Sequence, residues 1–166
     1  MQTLAQNFQI INYVVPATRS SAASLSKSAM AFVSMKGYNK VTFVVTCGAM
    51  TEASTIIKAY QAKNVTGSSV SSTALALPHF WTNRASVSAA TLVRTTATSS
   101  QMVLTSVNNA VYMFEVDSGK LNANSGFDCI GLGISGISAA TCFSIKAVLS
   151  EPRYSADAMP IAATAN

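Results

Sequence analysis

The chain has 166 residues, enough for one domain with a sizeable core, and 49% of them are hydrophobic, as in an ordinary globular protein. Charged residues make up only 10%, against about 25% in typical soluble domains, which points to a surface covered in large part by other subunits. The net charge of +5 comes from a shortage of acids; the 11 basic residues are scattered from Arg19 to Arg153 without a run, which excludes the clustered footprint of direct nucleic-acid recognition.

In chain order, the opening "MQTLAQNFQIINYVVPA" lacks the basic start and long apolar stretch of a secretory signal. No segment reaches the roughly 18 uninterrupted apolar residues of a membrane span, so no membrane partner is expected. "FQIINYVV" reads as a strand that stops at Pro16. The Ser- and Ala-rich stretch from Ser20 to Met35 shows no clean 3.6-residue stripe and reads as a loop with one helical turn. "AFVSMK" leads through Gly37 and Asn39, which supply turn chemistry, into "KVTFVVTC".

"STIIKAYQA" alternates Ile56, Lys58 and Tyr60 with Ile57, Ala59 and Gln61. "TALALPHFW" contains Pro78, which puts that strand at a sheet edge or breaks it there. "ATLVRTTAT", "QMVLTSV", "VYMFEV", "DCIGLGIS" and "TCFSIKAVL" follow, giving roughly nine or ten strands at the spacing of an all-β protein. The expected fold is a single antiparallel domain over 1–166, a β-sandwich or squat barrel of jelly-roll type with little helix. Residues 1–7 and 155–166 are expected to be extended arms, the second being the charge-poor "SADAMPIAATAN".

Three of the six acidic residues, Glu115, Asp117 and Asp128, lie in "AVYMFEVDSGKLNANSGFDCIGLGIS". Alternation puts Tyr112, Phe114 and Val116 on one face and Glu115 on the other, as a solvent-facing cross-strand partner. Asp117 is placed to accept backbone N–H groups of the next turn, Leu121 to enter the core, and Phe127 to lead back into the sheet beside Asp128 and Cys129. No D-x-D-x-D run suits calcium, so Asp117, Leu121, Phe127 and Asp128 read as a structural corner and not as a metal or catalytic site.

Other chemistry is equally thin. His79 is the only imidazole, no G-x-S-x-G elbow occurs, and Cys47, Cys129 and Cys142 show no C-x-x-C spacing. They read as reduced thiols of a protein made in a cytosol. "GLGISG" at 131–136 opens no helix and reads as a strand whose small residues permit close packing. In "HFW" one of the Phe80 and Trp81 rings is expected in the core and the other at a subunit contact. No cofactor, no metal and no enzymatic activity are expected.

The order "VSMKGYNKVTFVVTCGA", "IIKAYQAKNVTG", "MFEVDSGKLNANSGFDCIGLGIS" and "EPRY" resembles a group of small tailed-bacteriophage proteins encoded beside the capsid and head genes. The resemblance runs over roughly residues 30–155 and rests on the strand start, the "QA" strand end, the "GFDC" corner and an "RY" near the end. Here Gly37 stands at an Asn-like position and Asn122 where the pattern carries Asp. It implies a non-enzymatic virion structural protein, a capsid decoration (cement) protein stabilising the head lattice. That protein would be assembled in the bacterial cytoplasm, partnered by the major capsid protein and by itself as a homotrimer. The alternative is a receptor- or carbohydrate-binding module on the virion surface or tail. Contacts with neighbouring subunits are assigned to Phe80 and Trp81 and to Ala158, Pro160 and Ile161 of the C-terminal arm.

Overall fold

The computed structural model describes residues 7–19, 25–50, 55–67, 69–83, 91–105, 108–137 and 140–153. Ten strands lie in these segments: β1 (Phe8–Arg19), β2 (Val33–Ser34), β3 (Tyr38–Met50), β4 (Thr55–Ala62), β5 (His79–Asn83), β6 (Val93–Thr96), β7 (Met102–Leu104), β8 (Val111–Asp117), β9 (Cys129–Ser135) and β10 (Thr141–Pro152). They form a six-stranded sheet in the order β1-β10-β3-β8-β5-β6 and a four-stranded sheet in the order β2-β9-β4-β7.

All strand pairings are antiparallel. The pairs β1/β10, β2/β9, β3/β8 and β4/β7 alternate between the two sheets, as when one long antiparallel ribbon is rolled over itself. That is jelly-roll topology, with β5 and β6 inserted between β4 and β7 and added beside β8. Among the described residues both sheets keep free edges, so the molecule is a sandwich and not the closed barrel that strand count alone left open.

Period-two alternation explains the core. Val41, Phe43 and Val45 of β3, Tyr112, Phe114 and Val116 of β8, and Ile145, Ala147 and Leu149 of β10 point inward. They meet Ile57 and Ala59 of β4 and Ile130, Leu132 and Ile134 of β9. Phe43 stacks on Phe114 with centroids 5.2 Å apart, and Tyr13 meets Phe43 edge-on at 5.4 Å.

A second, smaller cluster of Phe32, Ala62 and Cys129 covers the far side of the four-stranded sheet. Gly131 permits this contact: a Cβ there would stand 2.6 Å from Phe32 Cδ1. Gly133 plays the same part, since its Cβ would lie 2.8 Å from Tyr60 Cε2. The reading of "GLGIS" as a close-packed strand therefore holds.

One strand boundary differs from expectation. β1 does not stop at Pro16 but continues to Arg19, with register shifts between Asn12 and Val14 and between Val14 and Ala17. An edge strand tolerates proline because one row of its N–H groups has no ladder to join. Pro78 breaks its run, one of the two expected outcomes: it ends a coil, and β5 begins directly after it as an interior strand. The loop before β2 makes one turn, with the Ala29 and Met30 N–H groups donating to the Ser26 carbonyl.

Candidate functional site

Four segments that lie far apart in the sequence meet at one end of the sandwich. The Met35 N–H donates to the Asp128 carbonyl at 2.8 Å, and Lys36 Nζ sits 3.1 Å from Asp128 Oδ2. The Asp128 N–H reaches the Ala62 carbonyl at 3.3 Å, and the Asn122 N–H donates to Gln61 Oε1 at 2.8 Å. Arg153 closes the ring, its N–H on the Gly37 carbonyl at 2.9 Å and its guanidinium on Ser118 Oγ at 2.7 Å. "VSMKGYN", "QA", the "GFDC" corner and "EPR" are thus one hydrogen-bonded assembly that fixes strand ends.

Within the corner, Leu121 is buried in the core as its sequence position suggested. Besides pairing with Lys36, Asp128 accepts the Cys129 Sγ–H at 3.0 Å. The hydrogen bond to Asp128, followed by its charge, raises the Lys36 pKa.

Asp117 does not cap the turn that follows. It stands at the N-cap of the 3-10 turn Ser118–Lys120 and makes no side-chain cap bond. It lies exposed on the outer face, in register with Lys40. The capping is done one turn later by Asn122, whose side chain accepts the Ser125 N–H at 3.3 Å, and Gly126 ends that turn with φ +81°. Phe127 is half-buried below Lys63, whose Nζ is 5.5 Å from the ring centroid; the strand resumes only at Cys129. Asp117 and Asp128 therefore serve different places. Among the described residues no group of three or more His, Cys, Asp or Glu side chains converges as a metal site.

The outer face of the six-stranded sheet carries the more informative surface. One cross-strand row runs across all six strands: Asn12, Lys146, Val44, Met113, Trp81 and Arg94, each in register with the next. Val44, Met113 and Trp81 are half-exposed. Trp81 meets His79 edge-on at 4.8 Å, and Arg94 lies 3.1 Å from His79 Nδ1. Phe80, on the opposite side of β5, is buried near Tyr112. One ring of "HFW" is thus in the core, as expected, and the other is half-buried on the outer face. Ala158, Pro160 and Ile161 lie outside the described residues, as do 1–6 of the N-terminal arm.

Two depressions flank this face. A shallow one of about 430 Å³ lies among Phe8, Lys40, Glu115, Val148 and Glu151. Lys40 Nζ pairs with Glu151 Oε1 at 2.8 Å, and Thr42 Oγ1 donates to Glu115 at 3.3 Å. The hydrogen bond and charge of Glu151 raise the Lys40 pKa, with smaller contributions from Glu115 and Asp117. This grouping of three acids around one lysine had no sequence signal, because β10 brings Glu151 beside β3 only through long-range pairing.

The second depression, about 210 Å³, opens between β6 and β7 and is lined by Thr82, Thr95, Thr98, Gln101 and Thr105 over Phe80 and Tyr112. Among the described residues the buried Thr82 hydroxyl has no hydrogen-bond partner. Among the described residues no helix is long and apolar enough to cross a membrane. Compared with protein-family models, with curated proteins and with solved structures, the chain matches none.

Proposed function

We propose that this chain is a non-enzymatic virion structural protein that binds the outside of a tailed-bacteriophage head, as a decoration protein partnered by the major capsid protein. The observation that carries the reading is the shared end of the molecule. The segments resembling the phage group are the staples that close this jelly roll, so the resemblance follows the fold's own hydrogen-bonding logic. A scaffold of 166 residues with 17 charged side chains, 11 basic and 6 acidic, supports a protein whose surface is largely covered in use.

The Trp81 row is the face assigned to the shell, because aromatic and methionine side chains in a half-exposed cluster are the usual anchors of protein contacts. Stabilisation follows mass action: a protein that binds only the assembled lattice favours that state against the pressure of packaged DNA. Undecorated heads incubated with the purified chain should pellet with it at hundreds of copies per particle, and Trp81→Ala should weaken capture about tenfold or more. Absence of binding to heads defeats the reading.

A second reading, a glycan- or receptor-binding module, draws on the uncharged threonine-lined depression and its unpartnered Thr82 hydroxyl. It ranks lower because small-molecule sites usually span about 300–1,000 Å³. Saturable binding of a neutral saccharide that Gln101→Ala abolishes would favour it.

A further inference from the structure

The charges on the outer face of the six-stranded sheet are sorted into bands. Across β10, β3, β8, β5 and β6 the Trp81 row reads Lys146, Val44, Met113, Trp81 and Arg94, with a cation at each end and no acid between them. Lys146 and Arg94 are exposed, and Val44, Met113 and Trp81 are half-buried. The acids gather to one side of this row: Glu115 is two residues beyond Met113 on β8, Asp117 is two further, and Glu151 pairs with Lys40. An acid directly across the strands would stabilise an exposed lysine. Lys146 has instead Asn12 on one side and Val44 on the other, and it makes no ion pair among the described residues. Arg94 gives one N–H to His79 Nδ1 at 3.1 Å, out of the five that a guanidinium carries.

We propose that this row binds an apolar segment of a partner protein flanked by two carboxylates about 19 Å apart, one meeting Lys146 and the other Arg94. The spacing follows from the sheet. Four strand-to-strand steps of about 4.8 Å separate β10 from β6. An extended chain laid across them covers that span in about six residues at roughly 3.3 Å each, so the acids stand at the first and seventh positions. The third and fifth positions share their face, and apolar side chains there cover Val44, Met113 and Trp81.

The planar guanidinium of Arg94 suits a carboxylate held side-on, and Lys146 supplies a point charge at the other end. Glu115 and Asp117 complete the recognition by repulsion. A partner shifted along the strands toward them brings its acids against like charge, which holds the segment on the row. The inference rests on the assignment of the Trp81 row to the shell and names the chemistry the shell presents there.

Trp81 is the only tryptophan of the chain, so its fluorescence reports contact at the row directly. The terminally blocked peptide Asp-Thr-Val-Thr-Val-Thr-Asp should change that emission saturably, and the peptide with lysine at both ends should not. Lys146→Glu and Arg94→Glu, at exposed positions and so folded by circular dichroism, should each weaken the acidic peptide about threefold to tenfold. Lys120→Glu, the same change at an exposed position of the corner, should leave it unaltered. Capture by undecorated heads should fall by a similar factor in the same two variants and weaken with added salt. Heads that hold the chain yet are indifferent to both charge reversals would overturn the inference and leave the shell assignment standing. Heads that do not bind, with the acidic peptide still selected, would defeat the shell assignment and support the chemistry of the row. An equal response to both peptides, a response to neither, or a preference for a thymidine oligonucleotide would overturn the inference.

Discussion

Tyr13 on β1 and Leu132 on β9 are joined across the sandwich: the Leu132 N–H donates to Tyr13 Oη at 2.8 Å, and the same hydroxyl donates to the Ala31 carbonyl at 2.6 Å. One side chain thus ties the edge of the six-stranded sheet to the middle of the four-stranded one and to the loop that carries Phe32 over Gly131. Burial drives the Tyr13 pKa far above its usual value, only partly offset by the bond from Leu132. Tyr13→Phe keeps the ring on Phe43 but strands a buried N–H and a carbonyl. The expected loss is about 2–4 kcal/mol, since each unsatisfied group costs roughly 1–3 kcal/mol. Urea unfolding of the two proteins checks it; a loss below about 0.5 kcal/mol, the range of neutral surface changes, would show that water or a shift of the loop replaces the hydroxyl.

Gly131 and Gly119 make a matched pair. A Cβ on Gly131 would overlap the Phe32 ring, whose Cδ1, Cε1 and Cγ all lie within 2.9 Å, whereas a Cβ on Gly119 meets nothing within 4 Å. Gly131→Ala should therefore cost about 1–3 kcal/mol, the range for overpacking, or lift Phe32 off the sheet. Gly119→Ala should be neutral or slightly stabilising, because alanine restricts the unfolded chain more than glycine does. Thermal melts of both variants decide it, and equal effects would mean Phe32 is not seated there.

The sequence made the strands legible wherever period-two alternation ran uninterrupted, as at Tyr112, Phe114 and Val116, and wherever apolar runs were bounded by turns. β1 was misread at Pro16 because proline's effect depends on whether the strand is at an edge, which is a property of the sheet and not of the segment. The jelly roll was legible only as a type, since pairing β1 with β10 joins opposite ends of the chain and leaves no local signal. The corner was half legible. Leu121 is apolar among polar residues and had one place to go, but Asp117 and Asn122 are both good caps, and only the backbone path shows which faces a free N–H.

That choice gives a prediction for the corner. Asp117→Asn removes an exposed carboxylate that caps nothing, so stability should change by less than about 0.5 kcal/mol. Asn122→Ala removes the acceptor of the Ser125 N–H and should cost about 1 kcal/mol. Chemical denaturation should rank them in that order; the reverse order would place the cap on Asp117 after all.

Alkaline pH should expose the buried thiols. All three cysteines are free. Burial pushes the Cys47 thiol from 9.0 up to about 12, with a smaller push from Cys142. Burial and then the hydrogen bond and charge of Asp128 push Cys129 to about 12. Below about pH 9 both thiols are neutral whether the chain is folded or not. Between about pH 9 and 12 the unfolded chain releases protons that the folded one retains, so stability falls as pH rises through that window. Cys47→Ala with Cys129→Ala should flatten this alkaline slope in urea titrations, at some cost in packing. An unchanged slope would assign it to other groups.

The last prediction concerns the corner between β6 and β7, which carries the chain from one sheet to the other beside the threonine-lined depression. Thr98 and Gln101 form an isolated antiparallel bridge, with the Gln101 N–H on the Thr98 carbonyl at 3.2 Å. The two residues between them, Ser99 and Ser100, both have φ +53°. Positive φ at both central positions defines a type I′ turn, for which Asn-Gly is the favoured pair and serine a poor one, because its Cβ crowds the backbone in the left-handed region. Ser99→Asn with Ser100→Gly should relieve that strain. Glycine gives back part of the gain by loosening the unfolded chain, so the net rise should be about 0.5–1 kcal/mol. The exchange leaves Thr98, Gln101 and the depression between the sheets unaltered, so any ligand bound there should keep its affinity while the midpoint of urea unfolding rises. A fall in that midpoint would mean that the serine hydroxyls hold the turn through bonds worth more than the strain they impose.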